Sequence, residues 1–132
     1  MSDEPTPYQR LGEAAGVRVL VDAFYDHMDR LSEAEGIRQL HATKLDSSRQ
    51  KLFEFLSGWL GGPPLYVEKR GHPRMRMRHL PFAIGDSERD QWLMCMAKAM
   101  DEHVTDPALR ELLDGAFKRM ADHMRNQGLH AR

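Results

Sequence analysis

The chain has 132 residues, enough for one domain around a single buried core. With 19 Lys and Arg against 20 Asp and Glu the formal net charge is −1, so no global field exists to collect nucleic acid or anionic lipid. A single cysteine, Cys95, excludes an internal disulfide and suits a reducing compartment, while no apolar run reaches membrane-spanning or signal-peptide length, which makes the cytoplasm the expected location.

Residues 1–15 read as a frayed start with one helical turn around Tyr8 to Leu11. From Val17 the pattern is helical, with Val17, Leu20, Val21, Phe24, Tyr25 and Met28 on one face and Arg18, Asp22, Asp26 and Arg30 on the other. Ser32 and Glu35 predict a capping box for a short second element that carries Ile37 and Leu40. A longer helix is expected from Asp46 or Ser47, burying Leu52, Phe55, Leu56 and Trp59 and stopping at Gly61-Gly62-Pro63-Pro64. The proline- and glycine-rich stretch 61–74 then reads as a long connection, the kind that is often functional.

Segment 74–80, RMRMRHL, favours a short helix over a strand, because its residues are good helix formers and no strand partner is in sight. Pro81 ends it. Ser87 with Asp90 predicts the next helix, through Trp92, Met96, Ala99, Met100 and His103. Asp106-Pro107 predicts the last, with a stripe of Leu109, Leu112, Leu113, Ala116, Phe117, Met120 and Met124 ending at 126–128. The expectation is an all-α fold of four substantial and two short helices. Five of the nine methionines (Met75, Met77, Met94, Met96 and Met100) crowd into one region, which fits either a loosely specified core or a flat apolar surface.

Several polar groups stand out on apolar faces. His79 sits just before the helix-ending Pro81 among Leu80, Phe82 and Ile84, where a neutral imidazole could ligate haem iron or simply be a satisfied histidine. His72 and His79 could together hold a metal, but the seven histidines lack Cys/His ligand spacing, which argues against a zinc site. Tyr25 and Trp92 bring O–H and N–H donors that need partners when buried: a carbonyl in the plain reading, a ligand in the functional one. His41 could add a third donor. The arginines of RMRMR could follow a phosphate backbone only if extended, and they suit cofactor carboxylates equally well. Cys95 is most simply a small buried apolar residue.

Four segments, VDAFY at 21–25, FLSGWLGGPPLY at 55–66, RGHPRMRMRHLPFAIG at 70–85 and ERDQWLMCM at 88–96, together resemble the group II truncated haemoglobins, the 2-on-2 globins. The resemblance covers about residues 8–126 and implies one truncated globin domain over 1–132. It implies haem b as cofactor, with His79 as the metal ligand. It also implies distal roles for Tyr25, Trp92 and His41, Ser48 at a ligand gate, and Leu52, Phe55, Leu56 and Ile84 against the haem. Lys51, Tyr66 and Arg78, with His72 nearby, are its candidates around the propionates. One departure is the N-terminal LGEAAG, where Gly12 and Gly16 stand apart although members usually carry a glycine pair; Gly61-Gly62 is intact.

The function so implied is reversible binding of dioxygen, nitric oxide and carbon monoxide, serving redox chemistry such as nitric oxide dioxygenation or peroxide turnover with an external reductase. The alternative is a carrier or sensor without turnover. A haem-free helical interaction module is a third reading, and it predicts a colourless protein. Neither nucleic acid nor membrane is an expected partner, and the expected state is a monomer or weak homodimer.

Overall fold

In the computed structural model, which describes residues 4–126, the chain is helical throughout, with no strand among the described residues. The helices are α1 (Pro7–Leu11), α2 (Glu13–Arg30), α3 (Glu35–Gln39), α4 (Asp46–Trp59), α5 (Leu65–Arg70), α6 (Met75–His79), α7 (Asp86–His103) and α8 (Pro107–His123), with a 3₁₀ turn at Ser32–Ala34. Helix α2 lies against both α4 and α7, α7 lies against α8, and α4 carries α5. No helix among the described residues is long and apolar enough to cross a membrane.

The predicted α2 face is buried in full, from Val17 to Met28. On α4 the buried face is turned from the expected one. Phe53 and Leu56 enter the core, Leu52 and Phe55 are only partly buried, and Trp59 keeps 37% of its surface exposed. On α8, Leu109, Leu113, Phe117 and Ala121 are buried while Leu112 is exposed. At the start of α8, Asp106 caps the Ala108 N–H as its side chain predicts, with Pro107 in the first turn.

Other local expectations gave way. Ser32 and Glu35 form no capping box, because the 3₁₀ turn uses that segment and α3 starts from Ala34 without a side-chain cap. Asp46 is the first residue of α4 rather than its cap, so it acts on the helix dipole. Helix α7 starts at Asp86, one residue before Ser87, and the Gly85 N–H donates to the Glu88 carboxylate at 2.8 Å. Stretch 61–74 is not a bare connection: Pro63-Pro64 precede α5, and Gly71, in a positive-φ conformation, ends it. Helix α8 ends at His123, short of the expected end at 126–128, of which 127–128 lie outside the described residues.

The glycine departure near the N-terminus has a backbone consequence. Gly12 turns between α1 and α2 at φ 112°, and Glu13 follows it at φ 61°. A side chain in that region costs about 1 kcal/mol that glycine would not. The second pair is demanded by packing: a Cβ on Gly62 would fall 2.5 Å from the Tyr8 ring, which lies over it while the Tyr8 N–H donates to the Leu60 carbonyl.

Two polar ties set the helix register around the core. Arg49 on α4 donates to Asp26 (2.8 Å) and to the Asp22 carbonyl (3.1 Å) on α2. Glu54, with only 3% of its side chain exposed, accepts from Arg70 Nε (2.6 Å), Gln50 (2.8 Å) and Lys69 (3.3 Å), which fastens the end of α5 to α4. The Arg70 hydrogen bond, against the opposing effect of burial, draws the Glu54 carboxyl down to about 2. Its folded value lies below that of the unfolded chain, so its contribution is complete above the unfolded value and is lost as pH falls towards 2. Glu54→Gln is expected to cost about 1–2 kcal/mol near neutral pH, and urea unfolding should show that difference shrinking as pH falls below about 4.5. A difference that stays constant with pH would mean the carboxylate charge does not hold α5.

Candidate functional site

Between α2, α3, α4, α5, α6, α7 and α8 the packing leaves a cavity of about 520 Å³. That lies within the roughly 300–1,000 Å³ of sites that enclose sizeable organic ligands. Its apolar lining includes Ile37, Leu40, Leu52, Phe55, Phe82, Ile84, Met120 and Met124. Its polar lining includes Tyr25, His41, Ser48, Lys51, Tyr66, Arg78, His79 and Trp92.

Tyr25 is 5% exposed and its ring meets Phe24 edge-on at 4.8 Å. Burial raises its phenol well above the ordinary tyrosine range against the opposing pull of Arg49, so it stays a protonated donor. Trp92 is wedged between Phe24, 4.9 Å away by ring centroids, and Phe117 at 5.8 Å. Neither the Tyr25 hydroxyl nor the Trp92 indole N–H has a hydrogen-bond partner among the described residues.

The two histidines share one geometry. His79 Nδ1 lies 2.6 Å from the Met75 carbonyl, and His41 Nδ1 lies 2.9 Å from the Ile37 carbonyl, each four residues back. A carbonyl can only accept, so each Nδ1 carries the hydrogen and donates. In the neutral rings Nε2 is then a bare lone pair. Burial lowers the His41 pKa, its bond to Ile37 opposes that, and Arg38 and His79 lower it further, so His41 is neutral near pH 7. This differs from the expected third donor: in this tautomer the free nitrogen of His41 is an acceptor.

The loop after His79 is anchored by a residue that sequence reasoning used only as a helix end. Asn126 Nδ2 donates to the Phe82 carbonyl (2.8 Å) and the His79 carbonyl (3.1 Å). Its Oδ1 accepts from the Ile84 N–H (2.9 Å), and its own N–H donates to the Ile84 carbonyl (2.7 Å). On the opposite side Gln91 accepts the Ile37 N–H at 2.8 Å, which seats α3 and the His41 that follows it.

Of the sequence-predicted site residues, Tyr25, His41, Ser48, Lys51, Leu52, Phe55, Tyr66, Arg78, His79, Ile84 and Trp92 all line the cavity. Two do not. Leu56 is rotated one helical step past Phe55 into the core and is fully buried. His72 is exposed in the loop after α5, where its Nδ1 accepts the Arg74 N–H at 3.0 Å. The methionine signal is partly displaced: Met75 lines the cavity with Met120 and Met124, whereas Met96 and Met100 are core and Met77 is exposed. Burial lifts the Cys95 thiol to about 11, in keeping with an inert core residue. Among the described residues no group of three or more His, Cys, Asp or Glu could hold a bare metal ion.

A flat apolar group with an acceptor-seeking metal and carboxylate tails fits what is present. The cavity offers bare imidazole nitrogens at His79 and His41, apolar walls, two free donors, and cations at Lys51 and Arg78.

Comparison with known proteins agrees with the geometry. A model of the bacterial-like globin family matches residues 6–126. A group 2 truncated haemoglobin of Bacillus subtilis (strain 168) is 40% identical over 121 residues, spanning 92% of this chain and 89% of that one. The structure of a cold-adapted truncated haemoglobin from the Antarctic marine bacterium Pseudoalteromonas haloplanktis TAC125 superposes with a TM-score of 0.91 at 49% identity, covering 93% of this chain and 99% of that one. A group II 2-on-2 haemoglobin from the plant pathogen Agrobacterium tumefaciens gives 0.91 at 46% identity, covering 95% and 97%. The helical arrangement described above is therefore the truncated 2-on-2 globin fold.

The chain holds three tyrosines, and the burial of Tyr25 separates it from the others. NMR of ring-labelled tyrosine should show one phenol still protonated at about pH 11, above the ordinary value near 10. That signal should be missing from Tyr25→Phe. Ionisation of all three by that pH would mean the Tyr25 hydroxyl is open to bulk water.

Proposed function

The chain belongs to the bacterial-like globin family, in its group II truncated branch, and on that footing we propose that it holds haem b in the 520 Å³ cavity and binds dioxygen and other diatomic ligands there. The observation that carries this reading is the pairing of a bare His79 Nε2 with two free donors, Tyr25 and Trp92, in one largely apolar cavity. When bound, haem supplies an iron centre that takes small ligands and exchanges single electrons.

His79 is the iron ligand in this reading. Its Nδ1–H, held on the Met75 carbonyl, fixes the ring orientation and leaves Nε2 free to coordinate. Asn126 keeps the His79 turn in place from outside. Lys51, Arg78 and Tyr66 hold the carboxylate tails at the rim. Leu52, Phe55 and Ile84 pack on the cofactor and exclude water, and Ser48 lies at the entry.

Tyr25 and Trp92 donate to a ligand that carries partial negative charge. Each such bond contributes roughly 1 kcal/mol or more in a dry site. Two together favour slow release, which suits redox chemistry such as nitric oxide dioxygenation or peroxide turnover, fed by an external reductant, better than delivery. The Tyr25 phenol, kept protonated by burial, serves as donor throughout the physiological pH range.

His79→Ala is expected to abolish stable haem binding, read from the visible spectrum of purified protein and from haemin titration. Stoichiometric haem with an unchanged spectrum would remove His79 from the ligand role. Trp92→Phe, which keeps an aromatic ring between Phe24 and Phe117 but deletes the N–H, should speed dioxygen dissociation about 5-fold or more, the kinetic equivalent of one hydrogen bond. An unaltered off-rate in stopped-flow would show that the indole does not reach the ligand.

A further inference from the structure

The polar groups of the cavity are not all of one kind. Tyr25 and Trp92 offer hydrogens. His41, tied through Nδ1–H to the Ile37 carbonyl, offers a lone pair from the same wall, with its ring edge-on to Tyr25 at 5.8 Å. Dioxygen, nitric oxide and carbon monoxide carry no hydrogen, so an acceptor has nothing to take from them. A pocket tuned only to them would present a third donor. Two donors beside one acceptor match a ligand that also brings a hydrogen of its own.

We propose that His41 is the proton acceptor of this pocket and that, beside the diatomic binding above, it speeds capture of small protic ligands, hydrogen peroxide foremost. The proposal rests on the haem-binding reading above. In the step it performs, one O–H bond of hydrogen peroxide breaks and its proton moves to His41 Nε2. The electron pair stays on the oxygen. The products are an imidazolium and a hydroperoxide anion, with no change of oxidation state and no further reactant. Tyr25 and Trp92 donate to the anion as its charge develops, and the charge pair is formed inside the cavity. The protein prepares His41 for this. Burial and the neighbouring Arg38 and His79 keep the ring neutral, and Gln91 holds the Ile37 backbone that sets its tautomer.

A competing use of the same lone pair is to accept the Tyr25 O–H and orient it. The two uses part under measurement. Association of hydrogen peroxide and of hydrogen cyanide with the ferric holoprotein should be followed by stopped-flow in wild type, His41→Gln and His41→Phe, with carbon monoxide association to the ferrous protein as reference. The expected result is a slowing of both protic ligands roughly 100-fold greater than any change for carbon monoxide. Glutamine should fail to rescue it, since an amide accepts a hydrogen bond but does not take the proton. Equal effects on all ligands would overturn the proposal and leave His41 as a support for Tyr25. As a readout independent of turnover, nitrogen NMR of isotope-labelled histidine in the carbon monoxide complex should show His41 protonated at Nδ1 and bare at Nε2. The opposite tautomer would also overturn it. A wild-type protein with no haem band would sink the haem-binding reading itself. A normal carbon monoxide spectrum in the variants confines any failure to His41.

Discussion

Everything on the distal side of the cavity hangs on the contact between Phe24 and Trp92, where α2 crosses α7. Phe24 is fully buried, and its ring fills the crossing. Tyr25 is the next residue along the same helix, turned by about 100°. Once Phe24 is seated on Trp92, the Tyr25 ring has one place to go, edge-on against Phe24 and facing the cavity. Trp92 is braced from behind by Phe117, which in turn meets Trp59 at 5.1 Å. Such ring pairs contribute about 0.5–1.5 kcal/mol each beyond the area they bury. The donors are therefore aimed by core packing and not by a loop.

The other wall is built on a different principle. Helices α5 and α6 have six and five residues, and α5 contributes no buried residue. Helices so short have little cooperativity of their own. Polar ties hold them in place of a core: Glu54 on Arg70, the Ser57 hydroxyl donating to the Pro63 carbonyl at 2.7 Å, and Asn126 on the turn after His79. Few buried apolar contacts mean low local stability. A large flat cofactor has to enter a cavity whose far side is closed by packed aromatics. The wall that yields at least cost is the one held by hydrogen bonds, and it is the wall that carries His79.

This division also explains what could be read from the residues alone. Val17 to Met28 repeat every three to four positions because α2 is buried along one uniform face, so both the helix and its face were legible. Asp106-Pro107 announced α8 because capping is a local interaction. Where a helix has two apolar neighbours, periodicity loses direction. Leu52 and Phe55 are as apolar as Leu56, and only the position of the cavity decides that they line it while Leu56 does not. Helix α5 was missed because prolines and glycines dominate its flanks, although the same Pro63-Pro64 and Gly71 are what start and stop it. Asn126 was invisible as an anchor, since its partners lie more than forty residues away in sequence.

The two histidines show how a backbone carbonyl reaches into chemistry. Helix α3 ends at Gln39 and α6 at His79. In each case a histidine turns its Nδ1–H back onto a carbonyl four residues earlier, Ile37 for His41 and Met75 for His79. The Ile37 carbonyl also accepts the Leu40 N–H at 3.2 Å, so the imidazole takes its second lone pair. The imidazole bond fixes the tautomer, so each of these two cavity-lining rings carries a bare nitrogen. A lone pair is what an iron ligand needs and what a proton acceptor needs. The carbonyl four residues before each histidine thus decides the sign of the hydrogen bond that each ring can offer to whatever occupies the cavity.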